Sequence, residues 1–520
     1  MRNIFGSKIL LFIIALLIGY YLNFILNHFI NPEVNKAATK ISDIIKLTNE
    51  YYVDKVNLDT LTNSAIEGVL KKLDPHSGYL NSEEYESYAE EMSGKFVGIG
   101  IEFSLINDTL NVMSVVPSGP SDKVGVQSGD KIIMVDNRNI ISLKTEKIIS
   151  LLRGDEGSKV VLTIVRNNVK KPINFTLNRA EIILHPVDFS TVISDSIGYI
   201  KLVRFSENTY VEMRSTVNLL IKQGAKKILL DLRNNPGGYL EQAVKVADLF
   251  LSPNKLIVSI KARKKSYNQD FYSTDTDKSD KLPIIVLVDN GSASASEIVA
   301  GAIQDWDRGW IVGQNTFGKG LVQQSFILDD RSEFRLTLAK YFTPSGRLIQ
   351  RKYDNISNYY SISEINKNDT TTNYKFTKKG RKVYDGGGIH PDFLLKEPEY
   401  TESLGLLLRN NVFNRFIAEN GEIEKLDKKK YNYRTFNSEF IFTEKMFNNF
   451  IIYAKTIEPN IKIDEINKDK SLIIAKIKSE IANKFWGKNG RYYLFIKTDE
   501  EILQALNYFS IDINRVVKKN

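Results

Sequence analysis

Ile284-Ile-Val-Leu-Val-Asp-Asn-Gly-Ser-Ala-Ser-Ala-Ser-Glu-Ile298 reads as a buried strand feeding a tight turn of small residues and then a helix running from Glu297 to Trp306. Five apolar residues in a row, most of them β-branched, suit a strand covered on both faces. Upstream, Ile197 to Leu202 and Ile228 to Asp231 repeat the strand pattern, with helical periodicity over Thr209 to Gln223 and Tyr239 to Leu251. Strands alternating with helices predict an α/β core over residues 181–395. Two small-residue loops inside it are suited to chemistry. One carries Ser294, and the other is Thr316-Phe-Gly-Lys-Gly320, where glycines leave room for a substrate backbone beside Lys319. A third, Asp231-Leu-Arg-Asn-Asn-Pro-Gly-Gly238, sets a double glycine at a strand-to-helix junction, where exposed N–H groups could hold an oxyanion or simply form a tight turn.

Absences narrow the chemistry. The chain has no cysteine and four histidines, His28, His76, His185 and His390, none in a recognisable catalytic motif. Thiol nucleophiles and Cys-ligated zinc are excluded, a Ser-His-Asp triad lacks its histidine, and no His-Glu-x-x-His helix occurs. No metal or cofactor is expected. Ser294 activated by Lys319 remains, at a cost. A free lysine with a pKa of about 10.4 is roughly 0.04% neutral at pH 7, and lowering it by about 3 units through burial requires about 4 kcal/mol. The plain alternative is that Ser294-Ala-Ser-Glu297 only caps a helix and Lys319 is a surface residue in a glycine turn.

The chain has 520 residues, 42% of them hydrophobic, enough for two to four domains. Its net charge of +9 is spread over interspersed signs, which gives no argument for nucleic acid. Residues 1–36 differ in kind. Ile9 to Ile30 is apolar apart from Gly19, Asn23, Asn27 and His28, and would span about 33 Å as a helix. Arg2 and Lys8 precede it and no Ala-x-Ala site follows, so a single uncleaved transmembrane signal anchor is expected, with a cleaved signal peptide or a buried core helix as alternatives. The body would then lie outside the cytoplasm, in the periplasm of an inner-membrane, single-pass protein. Residues 37–95 read as helical around the loop Asp74-Pro-His-Ser-Gly78, and these helices could bridge to the anchor or pair with another copy. Residues 396–520 show helical patterns near Leu404 to Ala418, Glu439 to Lys455 and Asp469 to Phe485, but no motif.

Residues 96–180 switch to short strands, Gly98 to Phe103, Leu110 to Val116, Lys131 to Val135 and Lys159 to Val165, with a helix over Thr145 to Leu152. This pattern resembles a PDZ domain, with Gly98-Ile-Gly-Ile101 in the place of the carboxylate-binding loop; a small β-domain without a ligand is the alternative.

Six strings in order resemble the carboxyl-terminal processing peptidases, the tail-specific serine proteases with a PDZ domain. They are Leu73-Asp-Pro-His-Ser-Gly-Tyr-Leu80, Gly98-Ile-Gly-Ile101, Asp231-Leu-Arg-Asn-Asn-Pro-Gly-Gly238, Gly291-Ser-Ala-Ser-Ala-Ser-Glu-Ile298, Gly318-Lys-Gly-Leu-Val-Gln-Gln324 and Gly386-Gly-Gly-Ile-His-Pro-Asp392. The resemblance covers residues 41 to 395. It implies Ser294 as nucleophile and Lys319 as general base, oriented by Gln323, which would share a helical face with it if Lys319 opens a helix. It further implies an oxyanion hole from the N–H of Ala295 and one glycine of Gly237 or Gly238, peptide binding by Gly98, Ile99, Gly100 and Ile101, and an Arg153 that couples binding to the active site. Asp385 stands where the family's loop usually has a first glycine. The expected partners are protein substrates with a free C-terminus, the membrane through residues 9–30, and a second copy or an adaptor protein. Rival expectations are a non-catalytic PDZ scaffold that binds protein C-termini and a hydrolase of small acyl compounds.

Overall fold

A computed structural model describes residues 32–166, 169–274, 278–353, 359, 373–396, 399–424 and 426–513. The chain divides into two compact units, Met1–Tyr79 and Leu80–Asn520. In the first, helices Pro32–Tyr51 and Leu58–Leu70 carry no buried residue. The Asp74 carboxylate closes the loop that follows, accepting the N–H groups of His76 at 2.9 Å and Ser77 at 3.0 Å. The apolar stretch 9–30 lies outside the described residues. Among the described residues no helix is long and apolar enough to cross a membrane.

The second unit opens with helix Ser82–Ser93, started by an Asn81–Glu84 capping box and stopped at Gly94, which adopts a left-handed conformation. Lys95–Gly98 then pairs antiparallel with Ala180–Ile183, so the two ends of a β-domain leave side by side. Between them an antiparallel sheet runs in the order Ile101–Ile106, Thr109–Val115, Lys131–Val135, Lys159–Val165, Ile173–Asn178. Helix Thr145–Leu152 packs on it through Ile148 and Leu152, over a core that includes Leu110, Val112, Ile132, Val160, Leu162 and Ile164. The expected single strand Gly98 to Phe103 is two strands. Gly100 takes φ +74°, a conformation costly for other residues, and the chain turns there.

The α/β core is a six-stranded sheet ordered Val187–Ile193, Ile197–Leu202, Lys227–Asp231, Ile284–Val288, Gly309–Gly313, Phe393–Leu394. Its first pair is antiparallel and every later pair is parallel. All five residues of Ile284–Val288 are buried, because apolar layers cover both faces. Helices Thr209–Lys222, Leu240–Asp248 and Ala295–Asp305 cover one. A second antiparallel group leads from Leu321–Ile327 through Glu333–Phe342 and Leu256–Ala262 to Gln269–Tyr272.

The C-terminal extension builds its own helical core from Leu407, Phe413, Phe450, Ile473 and Ile477 among others. The single helix expected over Leu404 to Ala418 is two, Glu402–Arg409 and Val412–Glu419, because Asn411 between them adopts φ +53°. Lys470–Ile496 is longer than the expected Asp469 to Phe485 and bends at Gly487. The extension touches both neighbours. Asn411 Nδ2 donates to Ser104 Oγ at 2.9 Å, and Lys488 bridges Glu102 at 3.0 Å and Asp188 at 2.8 Å. Ile496, Ile502 and Ala505 close the second face of the six-stranded sheet against Tyr199, Leu229 and Leu287.

Candidate active site

Lys227–Asp231, Ile284–Val288 and Gly309–Gly313 are adjacent parallel strands, so their outgoing loops gather at one edge. That edge is where open α/β sheets place their ligands. The three loops are 232–238, 289–294 and 314–320, and they carry the double glycine, Ser294 and Lys319. Cross-loop hydrogen bonds stitch them together. Asp289 Oδ1 accepts the Asn234 N–H at 2.8 Å, the Asn235 carbonyl accepts the Ala293 N–H at 3.0 Å and Ser296 Oγ at 2.9 Å, and Phe317 N–H reaches the Ser292 carbonyl at 3.0 Å.

Ser294 sits at the sharp turn between strand and helix with φ +54° and ψ −110°, a conformation that a non-glycine residue holds only under constraint. The constraint is visible. Its N–H donates to Glu297 Oε2 at 2.7 Å and its carbonyl accepts from the Tyr341 hydroxyl at 3.1 Å. The capping box with Glu297 expected from sequence is present. Half-buried Ser294 lines a cavity of about 890 Å³ that Lys319 and Gln323 also line. Neither His185 nor His390 does.

Glu297 ties the Ser294 loop to the Lys319 loop, a role its sequence position as third helical residue did not announce. Fully buried, its carboxylate accepts Thr316 Oγ at 2.5 Å, Gly318 N–H at 2.7 Å and Lys319 N–H at 2.9 Å besides the Ser294 N–H. Burial pushes the Glu297 carboxyl above its ordinary range, while these donors pull it back. Thr316 is anchored in turn by the Ile389 N–H at 2.6 Å, which gives the Gly386-Gly-Gly-Ile389 string its structural reason.

Lys319 Nζ donates to Gln323 Oε1 at 2.9 Å, as the resemblance implies, but the helical geometry expected for the pair is wrong. Gln323 lies in strand Leu321–Ile327. Lys319 precedes that strand in the loop 314–320, so the contact joins a loop residue to a strand residue and does not follow from a shared helical face.

Gly237 and Gly238 differ in use. A Cβ on Gly237 would lie 2.8 Å from the Ala293 carbonyl and 3.0 Å from Ser294 Cβ, so its backbone packs on the serine, and its N–H is committed to Asn235 Oδ1 at 3.0 Å. Among the described residues the N–H groups of Gly238 and Ala295 donate no hydrogen bond. A Cβ on Gly238 would stand 2.2 Å from the Phe205 carbonyl, and φ is +146°. Gly238→Ala should therefore destabilise the fold by about 2 kcal/mol or more, read as a lowered Tm.

The cavity also has a wall that sequence reasoning missed, Tyr85, Tyr88 and Met92 of helix Ser82–Ser93, with Arg204 and Arg335. Arg335 lies 4.0 Å from the Tyr88 ring centroid, and Arg204 pairs with Glu91 at 2.6 Å. The opposite side of the same helix meets Arg153, whose Nη1 is 2.5 Å from Glu90 Oε2 and whose guanidinium lies 5.2 Å from the Phe96 ring centroid. These contacts place Arg153 between β-domain and helix. Of the loop Gly98-Ile-Gly-Ile101, Gly98 ends the paired neck strand, Ile99 is in the β-domain core, and half-buried Ile101 begins the sheet's edge strand.

Comparison with known proteins agrees with this layout. The model of peptidase family S41 matches residues 196–361, that of the PDZ domain residues 97–177, and a family of unknown function residues 404–487. The carboxy-terminal-processing protease of Bartonella bacilliformis is 37% identical over 319 residues, covering 61% of this chain and 73% of that protein. A probable CtpA-like serine protease of Staphylococcus epidermidis is 30% identical over 409 residues, 78% of this chain and 75% of that one. Among solved structures, the photosystem II D1 C-terminal processing protease shares 29% identity with a TM-score of 0.34, over 58% of this chain and 88% of that chain. With its S41 core, its PDZ domain and relatives matched over most of their length, the chain belongs to the carboxy-terminal-processing protease family and is a serine-type peptidase.

Proposed function

We propose that the chain is a membrane-anchored endopeptidase that captures the C-terminal segment of a protein substrate on its PDZ domain and cleaves it through an acyl-enzyme, with Ser294 as nucleophile and Lys319 as base. The observation that carries the reading is the opening of Ser294, Lys319 and Gln323 onto one cavity, with Glu297 gripping both loops. Neutral Lys319 Nζ takes the Ser294 hydroxyl proton as Oγ adds to the scissile carbonyl. The oxyanion that forms accepts the Ala295 and Gly238 N–H groups, whose donors have no other use, and Gly237 supports them from behind. The lysine ammonium then protonates the leaving amine, and Lys319, neutral again, deprotonates the water that releases the acyl product. Gln323 Oε1 orients Nζ for each transfer.

Capture would use the edge strand Ile101–Ile106, which has a neighbour in its sheet on one side alone, with N–H groups of the Gly98-Ile-Gly-Ile101 turn holding the terminal carboxylate. Arg153 would report that event to the cavity wall through Glu90. The anchor would be residues 9–30, with the body outside the cytoplasm.

The test is a fragment beginning near Asn31, incubated with an unstructured protein ending in apolar residues, beside the same protein with an amidated C-terminus. Cleavage products read by mass spectrometry should appear for the parent and vanish for Ser294→Ala. Amidation should raise KM by about tenfold, the scale of one charge-assisted hydrogen-bonded group. Equal KM for acid and amide would remove the tail-capture part of the reading. Binding of the tail without any cut would turn the protein into a scaffold.

A further inference from the structure

Arg233 belongs to the double-glycine string, yet it is claimed by the C-terminal extension. Its side chain is 8% exposed and its guanidinium is shared. Nη2 donates to Asp231 Oδ2 at 2.8 Å, while Nη1 donates to Asp499 Oδ2 at 3.0 Å and Glu501 Oε2 at 2.6 Å. Asp231 is fully buried and also accepts the Tyr199 hydroxyl at 2.8 Å and Lys201 Nζ at 3.1 Å. Burial alone would push its carboxyl up, but Arg233 and Lys201 outweigh that and hold it well below the usual range. Lys201 Nζ further donates to the Arg233 carbonyl at 2.6 Å. Both backbone and side chain of Arg233 are therefore fixed, two residues before Asn235.

From Asn235 the constraint passes directly to the glycines. Its N–H reaches the Leu232 carbonyl at 3.1 Å, its Nδ2 the Leu202 carbonyl at 2.9 Å, and its Oδ1 holds the Gly237 N–H at 3.0 Å. The extension can bear this load because Asp499 itself is fixed, its Oδ1 capping helix Glu500–Asn507 through the Ile502 N–H at 2.8 Å. Ile502 and Ala505 press that helix onto the sheet.

We propose that Asp499 and Glu501 are positioning residues for peptide hydrolysis, which hold the Asp231–Gly238 loop through Arg233 so that the C-terminal extension completes the oxyanion-binding geometry. The inference rests on the reading that Gly238 and Ala295 hold the oxyanion. With the two carboxylates neutralised, Nη1 of a buried guanidinium loses both charged acceptors and the nearby charges become two cations against one carboxylate. The side chain then has reason to leave its seat, and the loop loses its outer brace. Donors aimed at a tetrahedral intermediate act mainly in the transition state, so the loss should fall on kcat and leave KM.

The experiment compares Asp499→Asn, Glu501→Gln and their double variant with the parent and with Ser294→Ala, in the same anchor-free chain. Asparagine keeps the helix cap and glutamine keeps the volume, so both remove charge alone. Four quantities are read: kcat and KM on a tail peptide, affinity for a peptide boronate that forms a tetrahedral adduct, and Tm. Glu444→Gln, which breaks an exposed pair with Lys470 inside the extension, is the control that should match the parent. The expected result is a double variant with KM within about twofold, kcat lower by about tenfold to a hundredfold, and boronate affinity lower by the same factor. A folded double variant with parental kcat and boronate affinity would overturn the proposal, as would a change confined to KM. If the double variant does not fold, Glu501→Gln alone decides between the same outcomes by the same readouts, since Glu501 caps no helix. Should the parent cut no faster than Ser294→Ala, the catalytic reading itself fails and takes this inference with it; a Ser294-dependent parent matched by the double variant sinks only the positioning claim.

Discussion

Lys319→Ala should lower kcat by roughly 10⁴-fold while leaving KM nearly unchanged, and Lys319→Arg should not restore it. The cavity offers few other bases. Of the groups that line it with Ser294, the carboxylates Glu91, Glu207 and Glu241 include one already paired, Glu91 with Arg204, and neither His185 nor His390 is present. Lys319 reaches the site on a loop whose N–H is pinned by Glu297 at 2.9 Å, and its amine is aimed by Gln323 at the same distance. An arginine at this position cannot give up its proton near neutral pH, so it fails as a base whatever its reach. In the proposed mechanism the amine acts on the serine proton and not on the ground-state peptide, so KM should hold. Steady-state kinetics on a tail peptide check both variants, and a Lys319→Ala enzyme within tenfold of the parent would assign the base elsewhere.

The second large effect is expected at Glu297→Gln. Four donors converge on the two oxygens of this carboxylate, Thr316 Oγ and Gly318 N–H on one, Ser294 N–H and Lys319 N–H on the other. Glutamine offers one accepting oxygen, and its amide nitrogen would face two donors. Two buried donors without acceptors cost about 2–6 kcal/mol, while removal of a buried charge returns part of that. Catalysis has no such compensation. A strained Ser294 released from its N–H anchor, and a lysine loop free to shift by about 1 Å, should together cost about a hundredfold or more in kcat. Burial raises the Glu297 carboxyl, so in the parent kcat should fall on the acid side from a pH above the ordinary carboxylate range. For stability the sign is opposite. A raised folded-state pKa contributes stability that is present below the ordinary glutamate range and lost as pH rises through the folded value. The Tm gap between parent and Glu297→Gln should therefore be widest in acid and narrow upward. A gap that is flat across that window would mean that Glu297 does not titrate as its burial requires.

Much of this site can be read from sequence because its parts are local. Ile284 to Val288, the small-residue turn and the helix after it are each specified by neighbours in the chain, and the elements that carry Ser294 and the double glycine form where periodicity places them. Pairing across the chain is what sequence does not reveal. Gln323 sits in a strand because Glu333–Phe342 returns to pair with it, with a register shift just before Gln323. The contacts that Glu297 makes beyond its own helix come from a loop about twenty residues away, so from sequence it shows only a helix cap. Breaks at Gly100 and Asn411 follow from positive φ, which neither hydrophobic period nor composition encodes. The extension is opaque for the same reason. Its helices are visible in part, but Asp499 and Glu501 become meaningful only when Arg233, some 266 residues before Asp499, is brought against them.

The most direct measurement of the Ser294–Lys319 mechanism is peptide mapping by mass spectrometry of the anchor-free protein, quenched during turnover of an activated ester of a tail peptide. An acyl group on Ser294 in the parent, none in Ser294→Ala, and far slower acylation in Lys319→Ala is the predicted result. An acyl group on any other residue, or peptide cleavage undiminished in Ser294→Ala, would contradict it.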